Sequence, residues 1–150
     1  MNRKKIEAYI PLLKTTKQYT RKIKTYFVPL INCYAFVNIT KDQYISVLQT
    51  EYVFKFIRQR NDLLSIPEEE IFLLKKIVGE FQEDISINEN QFVDGEEVEV
   101  ISGNLTGLKG KLVTRKNKNE FVVELQHIGV RLNLCVNTSL IRPVNQLIKV

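Results

Sequence analysis

Apolar positions along this chain keep two rhythms. In the first half they come in runs. Residues 6–13 (IEAYIPLL) are apolar and β-rich, with Pro11 marking a strand end or edge. Residues 15–24 (TTKQYTRKIK) are polar and basic, which predicts a hairpin or an exposed loop. Residues 26–31 (YFVPLI) and 33–39 (CYAFVNI) are aromatic and β-branched. The second of these is nearly unbroken, as expected of a central strand covered on both faces. Thr40 and Gln43 fit a capping box ahead of a helix that would turn Tyr44, Val47 and Leu48 to one side. Residues 52–58 (YVFKFIR) alternate and predict a strand. Pro67 opens a second helix, and Glu68, Glu69 and Glu70 complement the positive end of its dipole. Ile71, Leu74, Ile77 and Val78 would form its buried stripe, with Gly79 as C-cap.

The rhythm changes after residues 80–91 (EFQEDISINENQ), which are polar and acidic. Short strands are predicted at 97–101, 109–116, 120–125 and 130–136, with a hairpin turn at 116–119. Glycines at 95, 103, 107, 110 and 129 punctuate them. Strands this short and this closely spaced predict a small β-barrel. The fold class expected is therefore α+β, in three parts: an α/β domain at 1–85, a linker at 86–91 and a barrel at 92–150.

Charge sharpens this division. The 150 residues carry a net charge of +5, which alone favours a polyanionic partner only weakly. Residues 1–30, however, hold eight basic side chains against one acid, whereas 86–150 hold eight against seven. Cys33 and Cys135 belong to different segments, with no CxxC and no Cys/His cluster, so no metal site is expected. They fit reduced thiols, packed as small apolar groups, in a cytoplasmic protein. The opening MNRKKIEAYIPLL has no long apolar run of the signal-peptide kind, and no stretch reaches the roughly 18 apolar residues of a membrane span. Phosphate loops, metal-ligand spacings and triad orders are also missing, so neither a cofactor nor catalytic residues are expected.

Residues 95–113 (GEEVEVISGNLTGLKGKLV) carry the most specific signal. A strand enters a Gly103-Asn104 turn, Gly107 and Gly110 follow, and a second strand leaves through Leu112 and Val113. This order resembles a KOW motif, the core of an SH3-like barrel. Upstream, residues 29–37 (PLINCYAFV) resemble the FPGY-then-strand segment of the NusG N-terminal domain, with Asn32 for its proline and Cys33 for its glycine or serine. Residues 50–57 (TEYVFKFI) resemble its TPGVVRFI segment, again without the proline and glycine. Ser65-Ile66-Pro67, followed by Glu69, Glu70 and Ile71, resembles the element that opens its last helix. The chain is thus similar to NusG-type transcription elongation factors over nearly its whole length. Within them, IEAYIPLLKT and RKIKTYFVPL look most like the UpxY-type antiterminators of capsular polysaccharide operons. The family opens with a further strand and a long helix, which this chain is expected to lack; its N-terminal domain would then be a truncated α/β sandwich.

The resemblance implies three surfaces. Ile31, Tyr34 and Phe36 lie where the family receives the clamp helices of RNA polymerase. Lys14, Lys17, Arg21, Lys22 and Lys24 lie in the loop pointed at nucleic acid in the transcription bubble, with Tyr19 and Tyr26 interleaved for stacking. Leu105, His127 and Ile128 match the KOW surface offered to a ribosomal protein or to Rho, although Val130 stands where the family often has arginine. The competing reading is a KOW-type RNA-binding or ribosome-associated protein. The upstream domain and the near-neutral charge of 86–150 speak against it.

Overall fold

The two rhythms produce two kinds of β-structure. The structure is a computed structural model and describes residues 6–82, 84–88, 95–115 and 118–144. In chain order, β1 (Glu7–Tyr9), β2 (Leu12–Gln18), β3 (Ile23–Pro29) and β4 (Phe36–Asn38) lead into a 3-10 turn at Lys41–Gln43 and the short helix α1 (Tyr44–Leu48). β5 (Arg58–Gln59) and β6 (Asp62–Leu63) precede α2 (Glu68–Glu80). Then come β7 (Ile85–Asn88), β8 (Glu96–Val100), β9 (Lys109–Arg115), β10 (Lys118–Leu125), β11 (Val130–Cys135) and β12 (Ile141–Pro143). The class is α+β.

β7 to β12 make one antiparallel sheet in the order β12-β8-β9-β10-β11-β7. The period-two pattern of β10 fixes its register. Phe121 lies opposite Leu112 and Leu134, Val123 opposite Leu132, and Leu125 opposite Val130. Phe121, Leu132 and Leu134 are wholly buried. Burying each such side chain is worth about 1.5–3 kcal/mol. Leu74 and Ile77 of α2 are wholly buried in the same core cluster, together with Val78, whereas Ile71 is only half-buried. Leu30 and Ile31 join this cluster too.

The expected linker begins as a strand instead. Residues 86–88 belong to β7, where Ile85 pairs with Leu134 and Ile87 with Leu132. Alternating isoleucines within a polar stretch extend the sheet by one strand; residues 89–91 lie outside the described residues. Of the predicted 116–119 turn, 116 and 117 also lie outside them. Gly79 is not the C-cap: α2 runs on to Glu80, and the Phe81 N–H closes onto the Ile77 carbonyl at 2.9 Å.

Among the described residues before α2 the strands occur only as pairs, β1 with β4, β2 with β3 and β5 with β6. Residues 15–24 do form a hairpin, closed by the Tyr19 N–H on the Lys22 carbonyl at 2.7 Å. The predicted capping contact is present, the Thr40 N–H donating to Gln43 Oε1 at 3.1 Å, and Val47 is the buried residue of α1. Two expected strands are cut short. Residues 33–39 keep only β4, paired among the described residues with β1 alone, because a turn with Cys33 at φ +68° diverts the chain. Residues 52–57 are not a strand, because Tyr52 also adopts φ +68° and starts the segment in a turn.

Candidate functional site

The β2–β3 hairpin carries the basic candidates. Lys14, Lys17, Arg21, Lys22 and Lys24 are all exposed. Register places Thr15, Lys17, Lys24 and Tyr26 on one face, with Lys17 directly opposite Lys24. Two like charges across a ladder destabilise it, so the pair is better accommodated beside an anion. Lys17 Nζ lies 5.5 Å from the Tyr19 ring centroid, and Tyr19 and Tyr26 are themselves exposed. The opposite face pairs Lys14 with Phe27, which is 62% exposed. Cations, stacking rings and open backbone together suit a flexible polyanion.

The aromatic candidates divide. Tyr34 is exposed, as is Ala35 next to it in the chain. Phe36 is half-buried, its ring stacked on Tyr9 at 6.3 Å. Lys75 Nζ sits 5.0 Å from the Tyr9 ring, whose phenol burial pushes above its ordinary pKa. Ile31 faces inward. At 8% exposure it belongs to the core shared with α2 and the sheet.

Of the three candidates from the second half, Leu105 is buried and Ile128 is half-buried against the core. His127 is exposed on one side and held on the other. Gly129 N–H closes the β10–β11 turn onto the Leu125 carbonyl at 2.7 Å. The His127 and Ile128 N–H groups donate instead to Glu70 Oε1 of α2, at 3.1 and 3.0 Å. His127 Nδ1 lies 2.7 Å from Glu70 Oε2. Both thiols are exposed rather than packed. Among the described residues, no group of three or more His, Cys, Asp or Glu side chains is arranged to hold a metal ion. No helix among them is long and apolar enough to cross a membrane.

The family model described as Transcription termination factor nusG matches residues 1–75, half of the chain. The chain belongs to the NusG family. No curated protein matches it. The NusG match spans the basic hairpin, the Tyr34 turn, α1 and the start of α2, and none of the six-stranded sheet. Within the matched residues, Cys33 and Tyr52 both adopt the left-handed conformation that glycine takes freely. Glu70 is the functional candidate that sequence reasoning missed. As one of three acids in a helix's first turn it looked like a dipole partner, and no sequence signal ties it to a turn 57 residues away.

Proposed function

We propose that this NusG-family chain is a transcription elongation and antitermination factor of the UpxY type, acting in the cytoplasm on a polysaccharide-biosynthesis operon. Residues 1–85 form its N-terminal domain, which binds the clamp helices of RNA polymerase and reduces pausing or termination. Residues 92–150 form a KOW barrel that recruits a partner, a ribosomal protein or Rho. The family match over residues 1–75 carries this reading. The glycine spacing of residues 95–113 and the strand-rich sheet around them support the barrel. No step of this role needs a catalytic group.

Tyr34 is the exposed anchor for polymerase, with Phe36 beside it and Ile31 in the core behind the turn. Lys14, Lys17, Arg21, Lys22 and Lys24 follow nucleic acid in the bubble through phosphate contacts, which position without reading sequence. The test is capture of purified core polymerase, with total RNA as competitor. Truncating an aromatic anchor costs about 2 kcal/mol, or roughly thirtyfold in affinity. Tyr34→Ala is therefore expected to weaken polymerase capture about thirtyfold while circular dichroism stays unchanged. Undiminished capture by the folded variant, or capture of RNA in preference to polymerase, would sink the reading.

A further inference from the structure

The β10–β11 turn aims three donors at one point: two successive backbone N–H groups and an imidazole nitrogen. Such a concavity binds anions, and the planar, two-oxygen shape of a carboxylate lets one oxygen take the backbone pair while the other meets the ring. In this structure a carboxylate fills it. Glu70 Oε1 takes the His127 and Ile128 N–H groups at 3.1 and 3.0 Å, and Oε2 meets His127 Nδ1 at 2.7 Å. The guest comes from elsewhere in the chain, on α2. The site also has an open wall. The Glu70 side chain is only 10% exposed, but that of His127 is 54% exposed.

We propose that the His127–Ile128 turn is a carboxylate-recognition site, filled by Glu70 within the chain and taken by an Asp or Glu side chain of a protein partner when Glu70 leaves it. This deepens, and rests on, the reading of the turn as a partner surface: it names the partner's chemistry and the internal residue that competes with it. The competition is direct, because one carboxylate uses all three donors. A partner must therefore supply its own acid to displace Glu70, and a partner presenting lysine or arginine there meets only donors.

The test uses the full-length chain with an isotope-labelled backbone and sodium acetate as the probe. In Glu70→Ala, acetate is expected to move the His127 and Ile128 amide resonances saturably, while chloride at equal ionic strength does not. The wild-type chain, with Glu70 in place, should not respond. Adding His127→Ala to Glu70→Ala is expected to weaken acetate binding roughly tenfold, the loss of one charge-assisted donor. If Glu70→Ala does not fold, Glu70→Gln keeps an accepting oxygen, and the same titration asks whether acetate displaces the neutral amide. No response in a folded variant, an equal response in wild type, or tighter binding of inorganic phosphate than of acetate overturns the proposal. No polymerase is present, so failure here leaves the transcription role untouched, and failure there leaves this site untouched.

Discussion

The six-stranded sheet and the strands before α2 use similar residues to opposite ends. In the sheet, Phe121, Leu132 and Leu134 are wholly buried, and each strand finds its partners within residues 85–143. Among the described residues before α2 the strands form three separate pairs, and large apolar side chains point outward: Phe54 is 94% exposed, Tyr52 86%, Ile23 67% and Phe27 62%. The family match falls on the second region. The sheet's core, completed by Leu74, Ile77 and Val78 of α2 and by Leu30 and Ile31, is packing that stabilises the fold. Apolar rings left in water mark surfaces that gain by being covered. Most wholly buried side chains thus lie in α2 and the sheet, and the most exposed rings lie before α2.

The largest expected effect is in the sheet. Phe121→Ala removes a wholly buried ring from the central strand and should cost about 3–5 kcal/mol. Phe27→Ala, on the exposed hairpin, should change stability by no more than about 0.5 kcal/mol. Urea unfolding of the two variants measures the contrast. Equal losses would break it, since they would mean that the hairpin ring packs as tightly as the core.

A smaller effect sharpens why the sheet is so closed. A Cβ on Gly110 would sit 2.5 Å from the Val122 carbonyl oxygen and under 3 Å from two atoms of the Phe121 ring. One obstacle is backbone and the other is the centre of the core, so neither can yield cheaply. Gly110→Ala is expected to cost about 1–3 kcal/mol, seen as an earlier urea midpoint. A neutral result would show that β9 and β10 have room to part.

These particulars explain what the sequence could and could not disclose. The strands β8 to β11 of the sheet were legible because their alternation and glycine turns are local, and close pairing of neighbours follows from short loops. β7 was missed because Ile85 and Ile87 are two apolar residues in an acidic stretch, and their partners, Leu134 and Leu132, are far along the chain. The runs at 33–39 and 52–58 read as strands because apolar β-branched and aromatic residues carry that signal. The backbone at Cys33 and Tyr52 overrides it, and neither residue type announces a left-handed turn. The basic segment at 15–24 was legible from its charge, as a hairpin or an exposed loop. The burial of Ile31 and Leu105 was not, since a resemblance assigns positions to a surface without saying what folds against them.

The smallest predicted effect tests the exposed half through that same left-handed backbone. Tyr52 holds φ +68° while the residue is 86% exposed. A side chain in this conformation costs roughly 1–2 kcal/mol, which glycine avoids. Against this, glycine gives the unfolded chain more freedom, worth about 0.4–1 kcal/mol. The ring contributes little, because it is mostly in water. Tyr52→Gly should therefore leave stability unchanged or raise it by up to about 1 kcal/mol, read as a thermal midpoint equal to or a few degrees above wild type. The sign is what matters. A loss beyond about 1 kcal/mol cannot come from backbone freedom alone, so it would show that the Tyr52 ring is packed. The region before α2 would then close on itself as the sheet does.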